Sequence, residues 1–268
     1  MDEEKKIFVR DAHVVNNRSL LHTIWEIVLE PTDFDVVDFM PGQFVCLEPL
    51  NKNSAMARPF SVSKISTFSN TFSLMYKVVG YNTDLLTTWH QGARLKFWGP
   101  LGNGFIPDPQ SYEEVWLIGG GMGIAPLRFF EKVISEYQEG IAKVFYGAKS
   151  NGEIVELRLH SDYALSIATE DGSVGYHGLV TDLLNEKLLE NDFQEILVIT
   201  CGPKPMMQQV AEMCAATNTD CYVILERIMA CGIGVCLGCS VKTTQGMKCI
   251  CHDGPVFDAK EVMWDELG

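Results

Sequence analysis

The chain has 268 residues, which at roughly 150 residues per domain predicts two domains with room for a smaller module. Hydrophobic residues make up 47% and charged residues 21%, close to the globular average, which argues against disordered, collagen-like and coiled-coil proteins. The 35 acidic residues outnumber the 21 Lys and Arg, for a net charge of −14, so nucleic acid and anionic membranes are poor main partners. Small molecules or proteins are the expected partners.

The cellular compartment is predicted from hydropathy and cysteine usage. No run approaches the roughly 18 consecutive apolar residues of a spanning helix, and the acidic start Met1–Glu4 is unlike a signal peptide. We therefore expect a cytoplasmic protein. Its nine cysteines are then expected to be reduced thiols, and an odd number could not all pair in any case.

The chain up to about Pro109 has the pattern of short antiparallel strands. Segments rich in Val, Ile, Phe and Thr alternate there with turn formers such as Gly80 and Gly92. In Thr71–Val79, apolar and polar residues alternate, as in a half-buried strand. The apolar face consists of Phe72, Leu74, Tyr76 and Val78. Several such strands in about 100 residues predict a closed antiparallel barrel.

From Glu113 the pattern changes to short apolar runs that alternate with helix-like stretches. This alternation predicts βαβ units and a parallel sheet, with a domain boundary near Pro107–Pro109. One helix is expected behind Pro126, where apolar residues recur at helical spacing, and a second over Pro205–Ala216. The predicted strands are Val115–Ile118, Lys143–Tyr146, Ala164–Ala168, Ile196–Thr200 and Cys221–Leu225.

The last 42 residues, here called the cysteine tail, contain five of the nine cysteines. Cys231, Cys236 and Cys239 are separated by four and then two residues, and Cys249 and Cys251 follow. The spacing C-x4-C-x2-C…C is typical of plant-type [2Fe–2S] sites. The interspersed glycines relieve the backbone crowding that arises where one loop directs several thiolates at a cluster.

Two alternatives to a cluster remain open on spacing alone. Four cysteines also suit a structural zinc site, although zinc sites usually combine two short C-x2–4-C knuckles. The cysteines could also be ordinary core residues. The fourth cluster ligand is open between Cys249 and Cys251. His252 does not complete a Rieske pattern, because the sequence has no paired Cys-x-His elements.

A glycine-rich loop, Gly119–Pro126, follows the first predicted strand of the sheet. Its glycines are Gly119, Gly120, Gly121 and Gly123. At the end of a strand, such glycines let a nucleotide approach the backbone, with its phosphates at a helix N-terminus. Because Ile124 stands where the dinucleotide fingerprint has Gly or Ala, a plain tight turn is the alternative. A second loop, Cys201–Pro203, also joins a strand to a helix, and in isolation its cysteine is more often a core residue.

The remaining cysteines and the histidines carry no motif. Cys46, Cys214 and Cys221 lie in apolar strand or helix patterns and are expected to be packing residues. The six histidines have no metal or triad spacing, so none is expected to be catalytic.

In this order, the barrel, the glycine loop and the cysteine tail resemble the ferredoxin-NADP reductase superfamily with a C-terminal [2Fe–2S] module. More closely, the chain resembles the electron-transfer subunits of type B, NAD-dependent dihydroorotate dehydrogenase, over nearly its whole length. The most specific matches are Met229–Gly234 and Cys251–Phe257, the latter similar to the family's Cys-x-Asp-Gly-Pro-Val-Phe ending. The resemblance favours Cys251 over Cys249. The implied cluster ligands are Cys231, Cys236, Cys239 and Cys251.

The resemblance also implies an FAD site in the barrel. Arg58–Ser61 is similar to the superfamily's Arg-Pro-x-Ser flavin motif, in which a guanidinium can fork onto the pyrophosphate. Asn82 and Thr83 correspond to the family's Gly-Thr at a phosphate contact. Asn82 departs from that pattern, although Asn tolerates left-handed backbone angles. The implied FAD-binding residues are Arg58, Pro59, Phe60, Ser61, Met75, Tyr76, Lys77, Asn82 and Thr83.

For the pyridine nucleotide, the resemblance implies contacts from both loops, with Cys201 near the nicotinamide. Glu170 and Asp171 follow a predicted strand. An NADP-binding protein would have Arg or Ser at this place to contact the 2′-phosphate, so NAD is favoured over NADP. Alternatively, both acids belong to a solvated turn. The implied contacts are Gly119, Gly120, Gly121, Gly123, Cys201 and Gly202.

The implied fold class is multi-domain, β plus α/β. It comprises an antiparallel β-barrel FAD domain at 1–108, a parallel-sheet α/β NAD domain at 109–225 and a small [2Fe–2S] module at 226–268. The implied function is electron transfer in pyrimidine biosynthesis, between NAD and an FMN-containing dihydroorotate dehydrogenase subunit, in a heterotetramer with two of each. A small subunit of an NAD(P)H-linked sulfide or ferredoxin oxidoreductase shares every module. A non-redox zinc-binding protein is the alternative of another class.

Overall fold

The computed structural model describes residues 9–48, 57–138, 140–157, 165–190 and 195–267 of the chain. Its strands are β1 (Val9–Ser19), β2 (Ile24–Pro31), β3 (Phe44–Leu47), β4 (Arg58–Ser66), β5 (Thr71–Lys77), β6 (Arg94–Leu101), β7 (Glu114–Gly120), β8 (Ala142–Ala148), β9 (Leu165–Thr169), β10 (Tyr176–His177), β11 (Ile196–Cys201), β12 (Asp220–Ile224), β13 (Ser240–Thr243), β14 (Gly246–Cys249) and β15 (Val256–Asp258). Its helices are α1 (Tyr81–Thr87), α2 (Ile124–Tyr137), α3 (Val180–Glu190), α4 (Lys204–Ala216) and α5 (Ile250–Asp253). Within these ranges, no helix has the length and apolar character needed to cross a membrane.

The first part of the chain forms the predicted antiparallel barrel. Six strands of the described residues close it in the order β1-β2-β5-β4-β3-β6. On β5, the alternation places Phe72, Leu74 and Tyr76 in the barrel core, as predicted. Met75, on the opposite face, is also buried, because it packs in the core that the barrel shares with α2 and the parallel sheet. One face of the barrel therefore packs against the second half of the chain.

The second part forms the predicted parallel sheet. In the described residues its order is β10-β9-β8-β7-β11-β12-β15, and each neighbouring pair from β10 to β12 is parallel. β11 is buried along its whole length, as expected for a central strand covered on both faces. All five predicted strands occur within two residues of their expected bounds. Ala164, the predicted start of one of them, lies outside the described residues.

The cysteine tail is joined to both preceding parts. β13 and β14 form a hairpin, and β15 pairs antiparallel with β12 at the edge of the parallel sheet. At the end of the barrel, Asn103 donates from its backbone to the Gly254 carbonyl at 2.6 Å and from its side chain to the Asp253 carbonyl at 3.1 Å. The sheet thus crosses the boundary expected at residue 226, and the division into three domains stays a prediction.

Candidate functional site

A cleft of about 360 Å³, here called the barrel cleft, opens where the barrel, the parallel sheet and the cysteine tail meet. Met122, just before α2, and Ala125, in its first turn, line the cleft, and Glu226 and Met229 line it from the tail side. Of the nine residues predicted to bind FAD, all but Asn82 line this cleft, namely Arg58, Pro59, Phe60, Ser61, Met75, Tyr76, Lys77 and Thr83. Residues from all three parts of the chain therefore surround one cavity.

Strands β4 and β5 bring the predicted residues together because they are neighbours in the barrel. Their side chains provide a guanidinium from Arg58, a hydroxyl from Ser61 and an aromatic wall from Phe60. Tyr76 donates from its hydroxyl to Oδ1 of Asn17 at 3.1 Å, and burial raises its pKa, so it is a neutral, fixed part of the wall. An apolar cleft with a few polar groups suits a flavin nucleotide.

The start of α1 differs from the predicted phosphate contact. The Thr83 hydroxyl accepts from the backbone N–H groups of Val79 and Gly80, at 2.9 and 3.2 Å, and so closes the first turn of the helix. Asn82 lies in that turn, and its Oδ1 is buried without a hydrogen-bond partner in the described structure. A left-handed backbone, which would explain why Asn stands here in place of the family's Gly, does not occur at Asn82. Among the described non-glycine residues, positive φ angles occur at Asn70, Asn218 and Leu237.

A second cleft, of about 310 Å³ and here called the sheet cleft, lies at the carboxyl ends of the parallel strands. Open α/β sheets bind ligands at this edge. Lys149, Glu153 and Glu170 provide its charged groups. Of the six residues predicted to contact NAD, Gly120 and Gly121 line the sheet cleft, and neither cleft is lined by Gly119, Gly123, Cys201 or Gly202.

Gly123 and Gly202 allow the two loops to touch each other backbone to backbone. A Cβ at Gly123 would lie 2.0 Å from the carbonyl oxygen of Cys201. A Cβ at Gly202 would lie 3.0 Å from the backbone nitrogen of Gly120, and its φ of +157° also favours glycine. These two glycines serve loop packing, whereas Gly120 and Gly121 face the cleft.

Replacing Gly123 by Ala should therefore destabilise the protein. The added methyl overlaps backbone atoms of the neighbouring loop, so we expect urea unfolding to report a loss of about 2–3 kcal/mol. Gly121→Ala is the matched control, because its Cβ would meet nothing within 4 Å and only its left-handed backbone is strained. For that variant we expect a loss of about 1 kcal/mol. Equal losses in the two variants would contradict the proposed contact between loops.

Cys201 lies at the end of β11 and is fully buried. It packs in the core between the sheet and α2. Burial, and secondarily the negative charge of Glu226, raises the pKa of its thiol well above the usual value. A neutral, buried thiol is foremost a packing group, and its nearness to a nicotinamide stays a prediction.

The two acids after β9 have different surroundings. Glu170 lines the sheet cleft. The carboxylate of Asp171 accepts from the hydroxyl and the backbone N–H of Ser173, at 2.6 and 3.0 Å, and these hydrogen bonds lower its pKa. Asp171 therefore fits the turn alternative, whereas Glu170 borders the sheet cleft and its contact with a nucleotide stays a prediction.

Backbone N–H groups of residues 231–239, here called the cysteine loop, and of Cys251 point at the predicted cluster ligands. These groups donate at 3.4 Å to Cys231, 3.4 Å to Cys236, 3.4 Å to Cys239 and 3.0 Å to Cys251. Burial opposes ionisation of Cys231, but the N–H groups of Ile233 and Cys236 lower its pKa to about 7. At Cys231 the loop thus favours the thiolate, which is the form of cysteine that binds metal, whereas burial and the neighbouring Cys239 raise the pKa of Cys251.

The two candidates for the fourth ligand lie in different environments. The sulfur of Cys251 is 3.2 Å from the sulfur of Cys239. The sulfur of Cys249 instead lies 3.5 Å from the hydroxyl of Ser240, its partner across the β13–β14 hairpin. This arrangement supports Cys251 as the fourth ligand.

A single zinc ion needs its four ligands about 2–2.3 Å from one point, whereas a [2Fe–2S] cluster holds four thiolates on two iron atoms. In the part of the chain that the structure describes, no three His, Cys, Asp or Glu side chains are placed to hold one metal ion.

The cysteine loop rests on the barrel through Gly232. Its φ is +70°, and a Cβ there would lie 2.7 Å from the sulfur of Cys46 and 3.7 Å from Nε1 of Trp98. Cys46 belongs to β3 and is buried, as predicted for a packing residue. The loop is therefore held against the wall of the barrel.

Sequence reasoning missed two acids at the clefts. Glu226 lines the barrel cleft, and its side chain is accessible to solvent there. The protein around it still displaces part of its hydration, and this desolvation raises its pKa. Glu153 lines the sheet cleft and pairs with Lys77 of the barrel cleft at 3.2 Å. Glu226 could have been found, because it directly follows a parallel strand at the ligand-binding edge.

Comparison with protein-family models gives two matches. Residues 226–263 match the iron–sulfur cluster binding domain of dihydroorotate dehydrogenase B. Residues 117–212 match an oxidoreductase NAD-binding domain. Together with the barrel, these matches define the class of protein: an oxidoreductase subunit that joins a ferredoxin reductase fold to an iron–sulfur domain.

Curated relatives narrow this class to one family. The electron transfer subunit of dihydroorotate dehydrogenase B (NAD(+)) from Caldanaerobacter subterraneus subsp. tengcongensis is 35% identical over 257 residues, covering 94% of this chain and 98% of the relative. The corresponding subunit from Clostridium acetobutylicum is 35% identical over 226 residues, covering 84% and 87%. The chain belongs to the family of dihydroorotate dehydrogenase B electron transfer subunits. The predicted family, electron-transfer function and cofactors (FAD, [2Fe–2S] and NAD) are thereby confirmed.

Solved structures confirm the predicted fold class. A chain of the NADH-dependent reduced ferredoxin-NADP oxidoreductase, studied for flavin-based electron bifurcation, superposes with a TM-score of 0.83 at 28% identity, covering 96% of this chain and 91% of that one. The ferredoxin reductase of carbazole 1,9a-dioxygenase gives 0.69 at 22% identity, covering 81% and 68%. The second likeness supports the fold alone.

Proposed function

We propose that the chain relays electrons between NAD in the sheet cleft, FAD in the barrel cleft and a [2Fe–2S] cluster in the cysteine loop. A catalytic dihydroorotate dehydrogenase subunit carrying FMN is the proposed partner, where dihydroorotate is oxidised to orotate. When bound, FAD exchanges a hydride with the nicotinamide and single electrons with the cluster. The observation that carries this proposal is the barrel cleft, to which all three parts of the chain contribute.

Contacts between the clefts support a short route. Lys77 of the barrel cleft and Glu153 of the sheet cleft form an ion pair at 3.2 Å, so the two clefts adjoin. On the other side, Met229 lines the barrel cleft two residues before the first cysteine of the loop. Each proposed site therefore borders the next.

Each part of the chain binds and orients one group in this proposal. Arg58 holds the FAD pyrophosphate, and the walls of the barrel cleft exclude water from the flavin. Gly120 and Gly121 admit the nucleotide at the sheet edge. The cluster ligands are Cys231, Cys236, Cys239 and Cys251. No side chain is assigned as a catalytic acid or base.

The proposed surface for the catalytic subunit lies on the cysteine tail. Val235 and Leu237 flank Cys236, and all three residues are exposed. Ile228, before the loop, and Met247, on the β13–β14 hairpin, are exposed as well. Exposed apolar side chains of this kind are typical of protein interfaces. We propose that the catalytic subunit binds this surface and so covers the cluster, in a heterotetramer with two copies of each subunit.

Purification with native partners tests the function directly. The expected result is a coloured complex that contains iron, acid-labile sulfide and flavin and reduces NAD in the presence of dihydroorotate. The control is the chain expressed alone, which should reduce an artificial acceptor with NADH but should not oxidise dihydroorotate. A colourless protein, or one that copurifies with zinc and no iron, would contradict the proposal.

Glu170 should determine the preference for NADH over NADPH. Its carboxylate can accept a hydrogen bond from a ribose 2′-hydroxyl, whereas a 2′-phosphate would be repelled by about 1 kcal/mol per charge pair near 4 Å at solvent-like screening. In Glu170→Ser, we expect the preference for NADH in flavin reduction to fall by about fivefold or more. Asp171→Ser is the matched control. It should leave the preference for NADH unchanged, because the carboxylate of Asp171 is hydrogen-bonded to Ser173. A native preference for NADPH would refute the NAD assignment.

A second candidate function follows from the 0.83 TM-score with the ferredoxin-NADP oxidoreductase chain. A subunit of that kind would exchange electrons with a partner that acts on ferredoxin. The two candidates differ in the copurifying partner and in the response to dihydroorotate. Ferredoxin-dependent reduction of the nucleotide, without dihydroorotate oxidation, would favour this second function.

A further inference from the structure

A buried ionic group joins the barrel to α2, outside both clefts. The carboxylate of Glu26 on β2 accepts from Arg128 of α2 at 3.0 Å and from Arg18 of β1 at 2.8 Å. Arg128 also donates to the hydroxyl of Ser63 on β4 at 3.2 Å. The side chains of Glu26 and Arg128 are only 6% and 7% exposed. Neither has a part in the cofactor contacts proposed above.

The pair lies directly behind the wall of the barrel cleft. Glu26 is opposite Met75 in the β2–β5 register, and Met75 lines the cleft. Arg128 lies one helical turn after Ala125, which lines the same cleft from the other side. The ion pair therefore connects the barrel wall of the cleft to the start of α2, which directly follows the last glycine of the loop, Gly123.

Net stability is a weak reason for such a pair. Removing two charges from water costs about as much as their attraction returns, and apolar residues of similar size often serve equally well. Geometry is a stronger reason. A guanidinium that must reach both Glu26 and Ser63 permits few positions of the helix, whereas apolar packing tolerates small shifts. The Arg128 Nε atom is buried without a partner in the described structure, so the side chain is held by its Nη1 contacts.

We propose that the Arg128–Glu26 pair is a positioning element that holds the start of α2 and its glycine loop against the barrel wall. It would thereby set the alignment of the nicotinamide with the flavin, and in this respect it rests on the proposed function. The step concerned would be the transfer of a hydride, which carries two electrons, from NADH to FAD, balanced by one proton from solvent; the pair contributes the alignment of the two binding sites. Displacing bound reactants by about 1 Å can slow such a step by about 100-fold.

Arg128→Met is the first test. Glu26 keeps its pair with the more exposed Arg18, so the variant should fold. We expect native flavin and iron content and a native Kd for NADH, with flavin reduction at saturating NADH slowed by about 10- to 100-fold. Amide hydrogen exchange over residues 121–127 should be faster than in the native protein, with or without cofactors. Arg128→Lys, which keeps the charge, should restore part of the rate.

Two further variants separate positioning from stability. Glu26→Leu alone leaves Arg128 buried without a carboxylate and should lower Tm most. The double variant Glu26→Leu, Arg128→Met removes both charges and should regain Tm while keeping the slow reduction. Lys132→Met is the matched control, because Lys132 pairs with Glu136 on the exposed side of the same helix and should change neither rate nor exchange.

A native reduction rate and native exchange in Arg128→Met would overturn the proposal. So would a lowered Tm with a native rate, since the pair would then be structural only, or a loss of flavin, since the pair would then retain the cofactor. If the native protein binds no flavin, the proposed function fails. The exchange measurement then still tests whether the pair holds the start of α2.

Discussion

Replacing Cys251 with Ser should abolish the iron–sulfur signal, whereas Cys249→Ser should retain it. Cys251 lies 3.2 Å from Cys239 and accepts an N–H group from the loop at 3.0 Å, while Cys249 contacts Ser240 across the hairpin. The two cysteines are both buried and are separated by a single residue, so each variant controls for the other. Iron and acid-labile sulfide per chain, together with the visible absorption, measure the outcome.

The flavin content separates loss of the cluster from loss of the fold. The barrel cleft contains no cysteine among its lining residues, so Cys251→Ser should keep native flavin content. If Cys249→Ser alone loses iron, the fourth ligand has been assigned to the wrong cysteine. If both variants keep a native cluster, neither cysteine is the fourth ligand.

Arg58→Ala should yield a protein depleted of flavin with an intact cluster. Arg58 lines the barrel cleft at the start of β4, where its guanidinium can form a charge-assisted, two-pronged contact with the pyrophosphate. Losing such a contact costs about 2–3 kcal/mol, or roughly 30- to 150-fold in Kd. Titration of flavin-free protein with FAD, followed by flavin fluorescence, measures this change.

Arg94→Ala is the matched control for charge. Arg94 is an exposed residue of β6 that does not line either cleft. It should bind FAD with the native Kd, and both variants should keep native iron content. An Arg58→Ala protein that fills with flavin at limiting FAD would remove Arg58 from the pyrophosphate contact.

Predictions that succeeded from sequence depended on local patterns. The alternation in Thr71–Lys77 identified a strand and its buried face, because successive strand side chains point to opposite sides. The two short cysteine intervals indicated a cluster loop, because three of the ligands come from one continuous stretch of backbone. The two glycine loops were found because each lies between a strand and a helix.

Predictions that failed or were missing depended on contacts between distant segments. The left-handed angle that Asn82 would tolerate does not occur, because Asn82 lies in the first turn of the right-handed helix α1. The sequence also gave no sign that Gly123 packs on Cys201, 78 positions later, and its contact with a nucleotide stays a prediction. The spacing of Glu26 and Arg128 gives no signal either, since 102 positions separate them.

The sequence by itself therefore determined the types of elements, their order and the chemistry of each loop, since these follow from side-chain periodicity, turn residues and ligand spacing within a few residues. Only the tertiary structure decided which loops share a cleft, that Glu170 rather than Asp171 faces the sheet cleft, and that Cys251 rather than Cys249 lies beside Cys239. The physical reason is that burial, hydrogen bonding and charge pairing depend on distances in space. Those distances are set by the packing of the barrel, the sheet and the tail around one cavity.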